Sequence, residues 1–184
     1  MIKWRRDVRR FVSDPVDDSL INKLIGLAAL APSVGNSQPW RFIKVKNIAR
    51  RSRIIENFET CNADALGDYR GDKAKLYASL KLSGLQDAPE HLAVFCDAST
   101  LDGHGVGQKT MPETLPYSVV GALGTLWLAA RAHGIGMGWV SIINPDVVAK
   151  ILDVPKDWSL IAYLCLGYPE EEHLDPELQR HGWQ

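Results

Sequence analysis

Four arginines and one aspartate lie together near the start of the chain, in the run RRDVRR at residues 5–10. A guanidinium fork matches two oxygens of a phosphate, so converging arginines can hold a phosphorylated ligand. Near-helical spacing would bring Arg5, Arg6 and Arg9 to one side. A solvated basic terminus has the same composition, and spacing alone favours that simpler interpretation.

The carboxylate of Asp7 sits inside this basic run. Because the neighbouring charges are positive, the carboxylate is expected to stay ionised. Two roles remain open on spacing alone. Asp7 is either an ordinary ion-pair partner or an acceptor or base beside a bound phosphate-bearing cofactor.

Two further polar segments could meet a flat ring. Residues 31–40, APSVGNSQPW, follow a predicted helix and offer hydroxyl and amide groups to the edge of a heterocycle, although turn chemistry alone explains such a composition. Residues 134–141, GIGMGWVS, place glycines where a helix leads into a strand, so backbone can approach a ring closely. Ser141 can then donate one directed hydrogen bond, or it can be a buried serine in a tight loop.

Hydrophobic periodicity predicts the elements that position these residues. No GxGxxG motif follows the first strand, which argues against a dinucleotide-binding Rossmann unit. We therefore expect an α+β sandwich, a mixed sheet flanked by helices, in a single domain spanning residues 1–184. The predicted helices are 20–28, 48–60, 72–86, 117–133 and 145–152; the predicted strands are 40–46, 92–96, 139–142 and 159–166; residues 98–116 are a long loop.

The predicted helix at residues 117–133 is apolar on nearly every face. Such a helix must be buried on all sides, so it is either central or part of a subunit interface.

Composition excludes several classes of function. A formal net charge of -1 gives no broad footprint for nucleic acid, and no run of about 18 apolar residues predicts a membrane span. Three widely spaced cysteines suggest neither a zinc site nor a disulfide framework, so we expect no metal and a reducing, cytoplasmic setting.

Several motifs recur in a known order: RRDVR at 5–9, APSVGNSQPWRF at 31–42, SLKLSG at 79–84, LWLAARA at 126–132, GMGWVSI at 136–142 and YLCLGY at 163–168. Together they resemble the 5,6-dimethylbenzimidazole synthase family, a branch of the nitroreductase superfamily, over nearly the whole chain. The resemblance implies a nitroreductase-like α+β fold and a homodimer that binds FMN at its interface.

The resemblance also implies the chemistry. Members of the family bind reduced FMN, let it react with O2, and cleave the flavin to the lower ligand of vitamin B12. An external NAD(P)H-dependent flavin reductase supplies the reduced flavin, which agrees with the missing GxGxxG motif.

Residue roles follow from the same resemblance. Arg5, Arg6 and Arg9 would hold the phosphate and ribityl chain, with Val8 alongside, and Asp7 would be the catalytic aspartate near the ribityl chain. Ser141, next to Gly138, would hydrogen-bond the edge of the isoalloxazine ring and take part in catalysis.

The remaining implied contacts come from two loops. Pro32, Ser33 and Asn36 would face the flavin across the dimer interface. Residues 66–84 would form a lid that excludes water, and Leu82 would line the closed pocket.

Two alternatives stay open. Asn36-Ser37 replaces an apolar pair usual in the family and gives the NSQPW string of general nitroreductases, which favours an FMN-dependent NAD(P)H nitroreductase. Both ends of the chain are shorter than is usual in the family. That shortness favours a non-catalytic flavin-binding paralogue.

Overall fold

An antiparallel sheet lies at the centre of the computed structural model, which describes residues 1–79 and 84–183. Its four strands have the order β1-β2-β4-β3, and every neighbouring pair is antiparallel. The one parallel pairing given in the described residues is an isolated bridge between Asp7 and Met137. The strands are β1 (Trp40–Lys44), β2 (Glu90–Asp97), β3 (Gly136–Val140) and β4 (Trp158–Gly167).

Helices cover both faces of this sheet. The described helices are α1 (Asp18–Ala28), α2 (Ile48–Gly67), α3 (Asp72–Ser79), α4 (Gly84–Asp87), α5 (Thr114–Ala132), α6 (Pro145–Leu152) and α7 (Glu177–Arg180). Side-chain caps fix several of their starts: Asp17 accepts from the Ser19 amide, and Asn144 accepts from the amides of Asp146 and Val147. The order of elements confirms the expected α+β architecture, whereas the sheet is antiparallel instead of mixed.

The two faces of the sheet bury two separate cores. One contains Leu24 of α1 and Leu123 and Leu126 of α5, packed on alternate residues of the strands. The other contains Ile54 of α2 and Val148 of α6. This division follows from the alternation of side chains along each strand, because successive residues point to opposite faces.

Helix α5 is only partly enclosed. Val119, Leu123 and Leu126 are fully buried, whereas Tyr117 is 61% exposed and Val120 is 45% exposed. The helix is therefore central to one core, as one of the two expectations has it, and it also presents an apolar strip to the outside.

Strand β3 begins earlier than its sequence predicts. It starts at Gly136 and ends at Val140, so Ser141 follows the strand instead of lying within it. Gly136 and Gly138 pair with β4 opposite Gly167 and Cys165. Glycine has a low preference for strands, which is why the sequence pattern placed the start of β3 too late.

Some features are absent from the described part of the chain. None of its helices has the length and apolar character needed to cross a membrane. Residues 1–79 and 84–183 also contain no cluster of three or more His, Cys, Asp or Glu side chains arranged to hold a metal ion. Its cysteines are unpaired, and Cys96 and Cys165 are buried.

A buried polar pair joins the two central strands of the sheet, β2 and β4. His91 of β2 is 2% exposed, and its Nδ1 lies 2.9 Å from the hydroxyl oxygen of Tyr163 in β4. Burial, with a smaller contribution from the positive charge of Arg51, lowers the pKa of His91 from 6.5 to about 4. The folded protein therefore holds this histidine neutral.

We expect this pair to make stability depend on pH. Between 6.5 and about 4 the unfolded chain binds a proton at His91 that the folded chain does not, so the free energy of unfolding falls as pH decreases through this window. The slope due to this group approaches about 1.4 kcal/mol per pH unit. Urea denaturation at several pH values measures it.

The control is the double variant His91→Phe with Tyr163→Phe, which removes both polar groups together. Other titrating groups are common to both proteins, so the difference in slope isolates the histidine. An equal slope in the two proteins would assign the pH dependence to other groups.

Candidate functional site

The N-terminal segment that carries the arginines lies along strand β3. The amide of Val8 donates a hydrogen bond to the carbonyl of Met137 at 3.1 Å, and Asp7 forms the parallel bridge with Met137. The indole nitrogen of Trp127 in α5 donates to the carbonyl of Arg6 at 3.3 Å. Residues 6–8 are thus fixed against the edge of the sheet.

The absence of a side chain at position 138 permits this contact. A Cβ atom on Gly138 would lie 2.3 Å from the carbonyl oxygen of Val8, and one on Gly136 would lie 3.0 Å from the Val8 side chain. The sequence suggested that these glycines admit a flat ring. In the structure Gly138 admits the backbone of the N-terminal segment, although it also lines a cavity.

Two donors hold the carboxylate of Asp7. Its Oδ1 accepts from the amide of Trp139 at 3.1 Å, and its Oδ2 accepts from Nε of Arg9 at 3.0 Å. The Asp7 side chain is 36% exposed, so the carboxylate remains accessible from one side. This geometry is that of an oriented acceptor with a charge-assisted partner.

A cavity of about 110 Å³ lies beside Asp7, on the face of the sheet covered by α2 and α6. Asp7, Val8, Arg9, Gly138 and Ser141 all line it. The structure therefore brings together five residues that the sequence singled out. Gly84, the last residue of the segment expected to form a lid, lines it too. The other lining residues, which the sequence did not single out, are Phe58, Trp139, Val140, Ile142 and Cys165.

The thiol of Cys165 forms part of the same cavity wall. Burial raises the pKa of this thiol, and the negative charge of Asp7 raises it further. Cys165 therefore stays protonated at neutral pH and contributes a weakly polar wall without a nucleophilic thiolate.

A second cavity, of about 260 Å³, lies between the N-terminal segment and residues 169–180. Arg5, Arg6 and Arg9 all line it, so the expected convergence of the three arginines occurs. Their partners differ, however. The guanidinium of Arg5 lies 4.8 Å from the centre of the Trp127 ring, whereas Nε of Arg6 donates to the carbonyl of Leu174.

Acidic residues near the C-terminus pair with other arginines around this cavity. Arg10 contacts Glu171 at 2.6 Å and Glu177 at 3.4 Å, and Arg131 forms a two-pronged contact with Glu172. A hydrogen bond from His173, together with Arg10, lowers the pKa of Glu171. The sequence gave no signal for these pairs, because their members are more than 40 residues apart.

Two arginine side chains have guanidinium nitrogens that donate no hydrogen bond within the described part of the chain. Nη1 of Arg9 is buried and has no hydrogen-bond partner. Within residues 1–79 and 84–183 the guanidinium of Arg5 has the Trp127 ring as its partner and no hydrogen bond or ion pair. Donors in this state suit an anionic ligand, since a buried unpaired donor costs free energy that a phosphate or carbonyl oxygen recovers.

The loop with Pro32, Ser33 and Asn36 lies away from both cavities. Oγ of Ser33 accepts from the amide of Gln38 at 3.0 Å, and the amide of Val34 donates to Oγ of Ser118 at 3.0 Å. Among the described residues, Pro32, Ser33 and Asn36 line neither of the two cavities. Within a single chain this loop therefore does not reach the cavity beside Asp7. Leu82, which was expected to line the closed pocket, lies outside the described residues.

Comparison with known proteins places this fold and site in a family. The profile of the Nitroreductase family matches residues 2–168. An iodotyrosine deiodinase bound to FMN and 3-iodo-L-tyrosine superposes with a TM-score of 0.78, at 26% identity, covering 94% of this chain and 89% of the other. A BluB-like flavoprotein from Clostridium difficile shares the fold, with a TM-score of 0.71 at 24% identity over 94% and 90% of the two chains.

Two relatives are more similar in sequence. The 5,6-dimethylbenzimidazole synthase of Rhodospirillum rubrum is 56% identical over 184 residues, which is 100% of this chain and 87% of that protein. The synthase of Rhodobacter capsulatus is 46% identical over 100% of this chain and 89% of that protein. The chain belongs to the nitroreductase family and, within it, to the 5,6-dimethylbenzimidazole synthase branch.

A side chain at position 138 should disrupt the packing of the N-terminal segment against β3, and with it the position of Asp7. Gly138→Ala places a methyl group against the Val8 carbonyl, and we expect this overpacking to lower the free energy of unfolding by about 1–3 kcal/mol. It should also displace Asp7 and expose the N-terminal segment to proteases. Chemical denaturation and limited proteolysis measure the two effects.

The matched control is Gly26→Ala in α1, where a Cβ would meet no atom within 4 Å. We expect this control to gain up to about 1 kcal/mol, because alanine favours a helix. Equal stability and equal proteolysis of Gly138→Ala and wild type would contradict the proposed contact.

Proposed function

We propose that this chain catalyses the O2-dependent fragmentation of reduced FMN to 5,6-dimethylbenzimidazole, the lower ligand of vitamin B12. The observation that supports the proposal is that Asp7 and Ser141 line the same cavity, with the Asp7 carboxylate oriented by Trp139 and Arg9. The relatives with 56% and 46% identity, which carry the name of this synthase, support it.

The residues present fit FMN. The buried, unpartnered Nη1 of Arg9 offers a donor at the cavity, and the guanidinium of Arg5 offers a charge for the phosphate. Arg6 and Val8 line the larger cavity, and Val8 also lines the smaller one. Bound reduced FMN supplies the electrons that reduce O2 and the ring from which the product is made.

Asp7 acts as the proton acceptor. The Trp139 amide fixes Oδ1 and the Arg9 guanidinium stabilises the negative charge on Oδ2. The carboxylate is thereby held in a fixed orientation, and its exposed part would face the ligand. A base in this position can take a proton from the ribityl chain, which a positioned carboxylate does more effectively than bulk water.

Ser141 orients the ring. Ser141 follows β3 directly and lines the cavity that Gly138 also lines. A hydroxyl there can donate one hydrogen bond to the isoalloxazine edge. Because Cys165 stays protonated, its thiol adds no competing nucleophile to the cavity lining.

We propose that two copies of the chain complete each site. The apolar strip on α5, formed by Tyr117 and Val120, would lie in the interface. Pro32 and Asn36 are exposed on one chain, and we infer that with Ser33 they contact the flavin bound by the partner. Leu82 and the lid at residues 66–84 would then exclude water from the reaction.

The source of electrons lies outside this chain in the proposal. An NAD(P)H-dependent flavin reductase would deliver reduced FMN, as the resemblance to the synthase family implies; the sequence carries no dinucleotide-binding fingerprint. Unpaired cysteines in the described residues agree with a cytoplasmic setting, where thiols stay reduced.

A hydride-transferring nitroreductase is the second candidate. The NSQPW string at residues 36–40 favours it, since that string is typical of general nitroreductases. In that case bound FMN would pass electrons from NAD(P)H to a small acceptor without being cleaved. A flavin-binding protein without turnover is the third.

The experiment is aerobic incubation of the purified protein with FMN and a reducing system, followed by chromatography. The proposal expects 5,6-dimethylbenzimidazole. Flavin reoxidation alone, without benzimidazole, would overturn it. Steady NAD(P)H oxidation stimulated by nitroaromatics would instead select the nitroreductase, and stoichiometric binding without any product would select the third candidate.

Asp7→Asn tests the assigned base. Asparagine keeps an oxygen for the Trp139 amide but loses the charge, so we expect FMN to bind while product formation falls by about 100-fold or more. Asp14→Asn, at an exposed position outside both cavities, is the matched control. Unchanged product formation by Asp7→Asn would remove Asp7 from the mechanism.

A further inference from the structure

We propose that Gly103 is a positioning residue for the flavin site, because it fixes the turn that carries Ser33 and Asn36. Gly103 lies in the long loop between β2 and α5, and it lines neither cavity. The inference rests on the proposed function in one respect, namely that this turn contacts the flavin of the partner subunit.

The turn has an unusual backbone. Gly35, Asn36 and Gln38 have φ values of 54°, 56° and 43°, in the left-handed region. That conformation is costly for residues other than glycine, so it persists only where surrounding contacts fix it. The contacts that fix this backbone therefore determine where Ser33 and Asn36 lie.

The principal contact is between two glycine backbones. A Cβ atom on Gly103 would lie 2.3 Å from the carbonyl oxygen of Gly35 and 3.2 Å from the amide nitrogen of Ser37. A Cβ atom on Gly35 would lie 2.9 Å from the carbonyl oxygen of Val106. The two loops pack so closely that neither glycine can carry a side chain.

Two hydrogen bonds tie the same turn to the rest of the fold. Oγ1 of Thr100 donates to the carbonyl of Ser37 at 3.2 Å, and Oγ of Ser118 in α5 accepts from the amide of Val34 at 3.0 Å. The inner side of the turn is thus fixed, while Asn36 remains exposed on its outer side. This arrangement suits a turn that presents polar groups to another subunit.

A small displacement should matter because the turn positions groups around a reacting ring. Misplacement by about 1 Å costs on the order of 100-fold in rate when a site depends on orientation. Gly103 would exert this effect without touching the ligand.

The test compares Gly103→Ala with Gly105→Ala. Both glycines have positive φ, 78° and 73°, so alanine strains the backbone similarly at each. A Cβ on Gly105 meets no atom within 4 Å, whereas one on Gly103 collides with Gly35. The pair therefore separates loop strain from displacement of the turn.

We expect both variants to lose thermal stability, Gly103→Ala more than Gly105→Ala because of its collision with Gly35, and to differ in function. Gly103→Ala should bind FMN about tenfold more weakly and release more hydrogen peroxide per benzimidazole, whereas Gly105→Ala should match wild type within about twofold. Equal FMN affinity and equal product ratios in the two variants would overturn the inference.

Mixed dimers test whether the effect crosses the interface. Co-expressed Gly103→Ala and Asp7→Asn chains, separated by different tags, form a dimer with one site that has an intact Asp7 and an intact turn from the other chain. We expect activity to recover to about half of wild type, since one of the two symmetric sites is complete. No recovery would mean that Gly103 acts within its own subunit and would contradict the proposal.

Thr100→Val keeps the inference testable if Gly103→Ala does not fold. Valine is nearly isosteric and removes only the hydrogen bond to Ser37, so FMN affinity should fall about twofold to fivefold, in line with a net hydrogen-bond contribution near 1 kcal/mol. Unchanged affinity in both Thr100→Val and Ser118→Ala would overturn the inference. FMN affinity is measured without turnover, so wild type that binds FMN but makes no benzimidazole would refute the proposed function alone.

Discussion

The close approach of the N-terminal segment to strand β3 is the contact on which the site depends. Gly138 lacks a side chain, so the Val8 carbonyl can lie where a Cβ would otherwise be. Only in that position does the Asp7 carboxylate reach the Trp139 amide. A residue at the start of the chain thus becomes part of a wall formed by a strand more than 120 residues later.

This contact also divides the surroundings of Asp7 into two parts. On one side lies the smaller cavity with Ser141 and Cys165, and on the other lies the larger, arginine-lined cavity. Arg9 borders both, with one nitrogen on Asp7 and another unpartnered. The division suits a ligand with a flat ring at one end and an anionic group at the other, which is the shape of FMN.

Much of the fold, and several residues of the candidate site, could be predicted from local sequence patterns. Helical and strand periodicity gave the α+β architecture, and the motif at residues 5–9 gave Asp7 and its arginines, because both signals reside in neighbouring residues. The motif at residues 136–142 singled out Ser141, which lines the smaller cavity. Its place after β3 was not predicted, since glycines at 136 and 138 obscure the start of the strand.

Contacts between distant segments could not be predicted in the same way. The approach of Gly138 to Val8 and of Gly103 to Gly35 joins segments that are far apart in the sequence, and a glycine alone does not indicate which segment it will contact. The pairing of Arg10 with Glu171 and Glu177 depends on where the C-terminal residues fold.

A crystal structure of the protein with FMN tests the account most directly. We expect the isoalloxazine ring beside Gly138 and Ser141, the phosphate near Arg5, the ribityl chain within hydrogen-bond distance of the Asp7 carboxylate, and the partner's Asn36 facing the ring. A flavin bound elsewhere, with Asp7 contacting only Trp139 and Arg9, would contradict the account.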